Sequence, residues 1–428
     1  MQREHWKIAW CHSGAIGGSS RTSQAMVQEL VERGHAVDEW LIGPERASIT
    51  SLGARCNKQF RMVIETPGRR KLRPYLLHTY GQLIAFWRQR EMADNAFERV
   101  ARRINDHGYD VVHVAQFLFS ESAGLLPFLR LPTVVYSHGV AGLWNLGSWV
   151  TGHHQNGTLV RRWYTNTCEQ AVRWRETTKI ADEVNRIRHA GLVLTNSRFS
   201  CEAFFHLYGR MPVVCYPGVD TQRFRPLGLP IQPMVLSVGR IHTQKQHHLL
   251  IEAAALIEPA RRPRVVIATP ENGKPLALEG DLAALAKQRH VELTVVHEAS
   301  EEELVELYNQ ALALVFVPIM EPFGIVLLEA MACGTPVIGV NEGGMREVVL
   351  DGETGFLVER EATDIAAVVR RIQREPGLRD HLSRHAVSQI QSKWTWDHTI
   401  DRYEQTIEQF LETDDKFDPR LPTACVVV

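Results

Sequence analysis

Leu312-Ala313-Leu314-Val315-Phe316-Val317 is an unbroken apolar run, and Pro318-Ile319-Met320-Glu321-Pro322-Phe323-Gly324 interrupts it. Ile325-Val326-Leu327-Leu328-Glu329-Ala330-Met331-Ala332-Cys333 then has the length and composition of a helix. Gly334-Thr335-Pro336 stops it, and Val337-Ile338-Gly339-Val340 is apolar again. The stretch predicts strand, helix, strand. Strands that are apolar throughout are buried on both faces, and two of them joined through a helix run parallel.

The same alternation extends outward in both directions. In the first half, short apolar runs cover Lys7 to Cys11, Ala36 to Ile42, Tyr109 to Val114, Thr133 to Tyr136 and Gly191 to Thr195. In the second half they cover Met234 to Val238, Arg264 to Ala268, Glu292 to Val296, Leu312 to Val317 and Val337 to Val340. Helical patterns fall between them, at Ser20 to Arg33, Gln246 to Glu258, Leu278 to Arg289, Glu301 to Ala311 and Gly324 to Cys333. Alternating strands and helices predict an α/β protein with parallel sheets covered on both faces. Pro217 to Pro233 holds four prolines and no helical period, so it reads as a linker. The expected division is a first domain over 1–217, a second over 218–395, a terminal amphipathic helix over 396–412 and a loose tail over 413–428. Ligands of doubly wound sheets bind outside the carboxyl ends of the strands, so a cleft between two such domains is the expected site.

Composition narrows the class. The 428 residues are 44% hydrophobic and 23% charged, ordinary for a globular chain and far from a disordered one. No apolar run approaches the ~18–20 residues of a membrane span. Met1 to Lys7 lacks a signal-peptide core, so a non-secreted protein is expected. Seven scattered cysteines with no Cys-x-x-Cys pair read as reduced thiols of the cytoplasm, not as a disulfide framework or zinc site. The formal net charge of −1 conceals a division: residues 1–217 carry 27 Lys and Arg against 18 Asp and Glu, and the remainder 21 against 31. The first half is therefore expected to meet something anionic, unless the excess is only solvated surface.

Three segments carry the chemistry. Ser13-Gly14-Ala15-Ile16-Gly17-Gly18-Ser19-Ser20 joins the first strand to the first helix. Glycines let a ligand approach the backbone, and the helix start offers free amides to a phosphate or a sugar hydroxyl. Its spacing is neither a dinucleotide fingerprint nor a P-loop. Gly239-Arg240-Ile241-His242-Thr243-Gln244-Lys245 follows a strand end with a guanidinium and an ammonium, a combination suited to a diphosphate. Glu321 and Glu329 flank the start of the Gly324 helix, where the amides of Phe323, Gly324 and Ile325 are helix-start donors. Carboxylates accept hydrogen bonds from vicinal sugar or ribose hydroxyls, and a solvated acid rarely belongs inside an apolar run such as Ile325 to Cys333.

Taken together, Arg240, Lys245 and the E-x7-E pair Glu321 and Glu329 resemble the retaining nucleotide-sugar glycosyltransferases of the GT-B fold, glycosyltransferase family 4. Further segments are similar to that family: Gly17-Gly18, Gly34-His35-Ala36-Val37, Asp110 to His113, Ser137-His138-Gly139, Asn196-Ser197, Pro217 to Pro226 and Glu342-Gly343-Gly344. Gln246 departs from it, for the family usually has Gly there. The resemblance implies two doubly wound Rossmann-like domains facing a central cleft. It implies a nucleotide diphosphate sugar as donor, a hydroxyl acceptor, retention at the anomeric carbon, and neither metal nor cofactor. In that reading Arg240, Lys245 and the Gly324 amides stabilise the leaving diphosphate, with Gly17 and Gly18 on the opposite wall. Glu321 holds donor-sugar hydroxyls, Glu329 the ribose, and His138 contacts the donor sugar. His113 reads as a structural histidine at least as well as a functional one. A sugar-nucleotide epimerase or a non-catalytic binder of the same fold is the alternative, though neither explains all four charged residues.

The acceptor side is expected on the first domain. Residues 69–103 carry nine basic and three acidic residues, with Leu76, Tyr80, Leu83 and Trp87 at helical spacing. Such a helix suits an anionic membrane surface, or it docks on its own domain with its basic face in water. Trp144 to Arg175 mixes aromatic and basic residues, as a wall for a sugar or phosphate would. The acceptor reads as anionic or lipid-linked, and the expected place is the cytoplasm, peripheral at the inner membrane face if the basic helix binds there. Nucleic acid is not expected, because the whole chain is not basic.

Overall fold

A computed structural model describes residues 5–13, 18–43, 52, 56–63, 93–116, 121–139, 181–270 and 277–413. Gly17, most of the basic stretch 69–103, the aromatic stretch 144–175 and the tail from residue 414 lie outside the described residues.

The chain divides into two compact units. One comprises Met1–Asn196, Cys201–Val214 and Tyr403–Val428, the other Ser197–Ser200 and Cys215–Arg402. The first unit holds a seven-stranded sheet. Its strands are β1 (Lys7–His12), β2 (Ala36–Gly43), β3 (Lys58–Val63), β4 (Val111–Gln116), β5 (Thr133–Ser137), β6 (Leu192–Thr195) and β7 (Val213–Val214). They lie in the order β3-β2-β1-β4-β5-β6-β7, every pair parallel. Helix α1 (Gly18–Glu32), helical residues 93–105 and 181–187, and α2 (Arg198–Tyr208) supply crossovers. Trp10, Trp40, Tyr136 and Phe204 are fully buried and anchor the core of this unit. Each such aromatic side chain removes ~150–250 Å² from water.

The second unit holds β8 (Met234–Val238), β9 (Arg264–Thr269), β10 (Leu293–His297), β11 (Ala313–Phe316), β12 (Val337–Val340) and β13 (Gly355–Val358), in the order β10-β9-β8-β11-β12-β13 and again all parallel. The helices are α3 (His247–Ala255), α4 (Ala277–Arg289), α5 (Glu301–Gln310), α6 (Ile325–Ala332), α7 (Met345–Val348), α8 (Ala362–Arg374) and α9 (Leu378–Lys393). The strand order reverses between β8 and β11. That is the point of an open α/β sheet where two loops diverge and leave a crevice. Arg240 and Lys245 follow β8, and Glu321 follows β11, so the three sit on the two loops that flank it.

Residues 217–233 pack on the second unit: the Val219 amide donates to the Trp394 carbonyl (2.8 Å), and Phe224 is buried. The terminal helix α10 (Trp396–Glu412) is divided, its residues from Tyr403 counting with the first unit. There Glu404 pairs with Arg33 (2.8 Å) and with His35 Nε2 (2.9 Å). The Trp6 amide donates to His35 Nδ1 (3.0 Å), which leaves Nε2 as the donor to Glu404. The helix end is thus fixed to the start of β2 by the Arg33–Glu404 ion pair and by a His35 ring whose tautomer is set by the backbone. Among the described residues no helix is long and apolar enough to cross a membrane.

Candidate functional site

The loop after β8 begins with Gly239, whose amide donates to the Ala268 carbonyl (2.9 Å) and so stays in line with the sheet. A single 3₁₀ turn, Thr243–Lys245, follows, with the His242 side chain accepting from the Gln244 amide at its start. Gln246 closes the turn at φ 55°, ψ 32°, the left-handed region. A glycine would enter that region without steric cost. Gln246 offsets part of the cost with a hydrogen bond from its own Nε2 to the Thr243 carbonyl (2.5 Å). Beneath the turn, His247 is buried; its ring bonds to Ser237 Oγ (3.0 Å) and the Arg240 carbonyl (3.1 Å), pinning the loop to the end of β8.

This turn directs Lys245 across to the other loop. Lys245 Nζ lies 2.7 Å from Glu321 Oε2, and each side chain keeps 15% of its surface exposed. The ammonium also stands 5.0 Å from the centre of the Phe316 ring, at the end of β11. Gln244 joins the two loops directly: its carbonyl accepts from the Ile319 amide (2.9 Å), and its Nε2 donates to the Ile319 carbonyl (3.0 Å). Arg240 is exposed, and its guanidinium has no partner among the described residues. Gly324 caps α6 at φ 88°, and Ile325 and Val326 head the helix, where amides lack intrahelical acceptors. The switch point therefore gathers a fixed ammonium, an exposed guanidinium and a helix start, with one carboxylate beside them.

Glu329 lies one turn further along α6 and is 2% exposed. Its Oε2 accepts from the Tyr308 hydroxyl (2.8 Å) on α5. The carboxylate is thus held from below by a residue that the sequence pattern did not single out.

In the first unit, Gly18 opens α1 behind β1, and His138 follows β5. The His138 ring tilts against Tyr136 (4.6 Å between centres), and its carbonyl accepts from Asn196 Nδ2 (3.0 Å). The residue is half-buried, and burial pushes its pKa down to about 3, so the ring is neutral at physiological pH. His113 is fully buried, stacks on Trp10 at 3.6 Å and bonds through Nδ1 to the Tyr403 hydroxyl (3.0 Å). Burial, and then the neighbouring His138, holds it neutral as well. His113 is a core residue that ties β4 to the terminal helix.

Two family models match the chain. "Glycosyltransferase Family 4" covers residues 16–223, and "Glycosyl transferases group 1" covers residues 220–389. The chain belongs to these glycosyltransferases. It is 34% identical over 240 residues to a D-inositol 3-phosphate glycosyltransferase of Thermomonospora curvata, an alignment that takes in 50% of this chain and 56% of that one. The chain spans about half to two thirds of the length of the curated relatives it matches. Among solved structures, it is similar to a sucrose-phosphate synthase from Thermosynechococcus elongatus (TM-score 0.70, 21% identity, 95% of this chain and 99% of that one). It is also similar to HepE from Anabaena, solved with UDP and glucose (TM-score 0.69, 18% identity, 95% and 100%). At these identities the likeness is one of fold, and the fold is GT-B.

Within this chain the four charged residues singled out in the sequence divide in two. Lys245 and Glu321 meet at the switch point and Arg240 lies exposed on the same loop as Lys245, whereas Glu329 is buried on α6. Gln244, His247 and Tyr308, which hold them, carry no motif signal of their own: each is an ordinary helix or turn residue until its partner is known.

Proposed function

We propose that this glycosyltransferase moves a sugar, with retention, from a nucleoside diphosphate sugar to a hydroxyl acceptor, and needs no metal to do so. The observation that carries the reading is the Lys245–Glu321 pair at the switch point of the second unit, beside the start of α6. The bond from the anomeric carbon to the phosphate oxygen breaks with its electron pair on the phosphate. Negative charge grows on the diphosphate in that step. Lys245 and the first amides of α6 are donors already held, with Arg240 supplied from the same loop as Lys245, and preorganised donors act where charge develops without having to reorient. Glu321 accepts from donor-sugar hydroxyls and Glu329 from the ribose. Of the glycine pair, Gly18 at the start of α1 offers its backbone amide to the donor, and the motif that includes Gly17 belongs to the same reading. The neutral His138 ring contacts the donor sugar and hydrogen-bonds a hydroxyl; it is no cation at working pH. The acceptor oxygen bonds to the anomeric carbon on the face the phosphate leaves, and its proton passes to a phosphate oxygen. No carboxylate nucleophile is required.

The acceptor in this reading is a hydroxyl of an anionic polyol or lipid-linked headgroup. The basic excess of residues 1–217 supports it, as does the name of the relatives, which act on an inositol phosphate. Peripheral contact with an anionic membrane through residues 69–103 belongs to the same proposal.

The test is release of nucleoside diphosphate from UDP-, ADP- and GDP-sugars, with D-inositol 3-phosphate among the acceptors, run with and without EDTA. The anomeric configuration of the product is then read by NMR. Release with retention, unaffected by EDTA, is expected. An inverted product, activity that EDTA removes and Mg²⁺ restores, or no release from any donor would overturn the corresponding part of the reading.

A further inference from the structure

The loop that carries Glu321 is held from a second side, by residues outside the charged set described above. Met320, directly before Glu321, sits at φ 50°, a left-handed conformation that side chains other than glycine rarely adopt. Its amide donates to Glu342 Oε1 at 2.6 Å. The other oxygen, Oε2, accepts from the Arg360 guanidinium at 2.8 Å. The same guanidinium donates to the Pro318 carbonyl (2.9 Å) and the Val317 carbonyl (3.4 Å). Glu342 follows β12 and Arg360 follows β13, so the two strands beyond the switch point reach back to the loop after β11. Gly343 and Gly344 let that happen. A side chain at Gly343 would begin 2.4 Å from the Glu321 carbonyl oxygen, and one at Gly344 2.2 Å from that of Pro322. The Gly344 amide donates to the Glu321 carbonyl (3.1 Å).

The segment 317–321 is therefore gripped on one side by Gln244 and on the other by Glu342 and Arg360. Between these grips the chain has one strained residue, and the residue after it is the carboxylate that meets Lys245. An amide in a left-handed turn needs an acceptor aimed at it, and Glu342 is that acceptor. Arg360 fixes the acceptor by a charge-assisted bond and satisfies the two carbonyls that the bend leaves pointing outward.

We propose that Glu342 and Arg360 are positioning residues for sugar transfer: they hold the Met320 turn, and through it set the Glu321 carboxylate against Lys245 and the donor sugar. The proposal rests on the reading of Lys245 and Glu321 as the donor site, and its test separates the two.

Wild type, Glu342→Ala, Glu342→Gln, Arg360→Gln, Glu321→Ala and Lys245→Met are compared by thermal melting, turnover and calorimetry. The probes are UDP, ADP and GDP and their glucose conjugates, of which the pair that binds wild type is used. Misplacing a reacting group by about 1 Å costs on the order of 10²-fold in rate, and a loss of that size in turnover is expected for Glu342→Ala. Affinity for the sugar nucleotide falls, and affinity for the free nucleoside diphosphate stays at the wild-type value, because Glu321 touches sugar and not nucleotide. Glu342→Gln, which still offers an oxygen to Met320, lies between Ala and wild type, and Arg360→Gln lies near it. Combining Glu342→Ala with Glu321→Ala adds no further loss of sugar-nucleotide affinity, since the first acts through the second. A folded Glu342→Ala protein with wild-type turnover overturns the proposal. So does one that loses nucleoside diphosphate and sugar nucleotide affinity alike, which marks a general disturbance of the unit. If Glu342→Ala fails to fold, Glu342→Gln and Arg360→Gln decide by the same comparison. Full turnover in Lys245→Met and Glu321→Ala, or no binding of any probe pair, refutes the donor site itself.

Discussion

Replacing Lys245 with Met tests the centre of the site most directly. The thioether side chain keeps much of the apolar stem that lies beside Gly239 and under the Phe316 ring, so packing is largely retained and the charge is removed. Two effects follow, of different size. The first is kinetic. Loss of one preorganised donor to developing charge costs about 10²–10³ in turnover, about 2.7–4 kcal/mol of transition-state stabilisation. The second is thermodynamic. Glu321 loses a partner at 2.7 Å, but it keeps a 15% opening to water and so is never a sealed, unpaired charge. A loss of about 1–3 kcal/mol of folding stability is the ceiling for such a group, and the water-accessible edge puts it at the lower end. The expected result is a folded protein that turns over donor about 10²–10³-fold more slowly. Urea denaturation reads the stability, and nucleoside diphosphate release at saturating donor reads the rate. Lys245→Arg keeps the charge and recovers part of the rate, though the planar fork does not fit an ammonium's place. Turnover close to wild type in a folded Lys245→Met protein would refute the reasoning, because among the described residues no other cation is paired with Glu321.

Three further predictions follow the same logic. Glu329→Ala is expected to weaken binding of the nucleoside diphosphate in calorimetry, and Tyr308→Phe to weaken it less, since Tyr308 only orients the carboxylate; unchanged affinity in Glu329→Ala removes the ribose role. Gln246→Ala is expected to lose about 0.5–1.5 kcal/mol with its side-chain hydrogen bond while keeping the left-handed strain, whereas Gln246→Gly relieves a strain of about 1–2 kcal/mol and comes out near neutral or better in thermal melting. Burial pushes the Glu404 carboxyl up, but the His35 hydrogen bond and the Arg33 guanidinium outweigh it, so its pKa lies below the ordinary glutamate value. The tie is therefore complete at neutral pH and is lost as pH falls through the carboxylate range; wild type should lose stability more steeply than Glu404→Gln on acidification, and parallel curves would deny the tie that role.

How much of this was legible beforehand depends on distance along the chain. The ten apolar runs all became strands, because each is short and nearly continuous in apolarity, as most strands of a sheet covered on both faces are. The strands that escaped are of another kind. Lys58–Val63 alternates Phe60 and Met62 with Lys58, Gln59 and Arg61, the pattern of an edge strand, Val213–Val214 is only two residues long, and Gly355–Val358 is four residues opening on a glycine. The helices α8 and α9 escaped because no apolar strand follows them to mark where each ends. Arg240, Lys245 and Glu321 were singled out from their places after strands and from the family pattern, and the contact between Lys245 and Glu321 was not foreseen, for 76 positions separate them. Nor does anything in Met320 announce a left-handed residue, or in Tyr308 a partner for Glu329. These pairings are properties of the sheet order. Once the order is β9-β8-β11-β12, the loops after β8 and β11 face the same crevice. A cation on one loop and a carboxylate on the other are then neighbours whatever lies between them in sequence. The loops after β12 and β13 come next along the same edge, which is why Glu342 and Arg360 reach the Glu321 loop. The catalytic reading thus depends on one topological fact: β11 returns to the side of β8, not to the outside of β10.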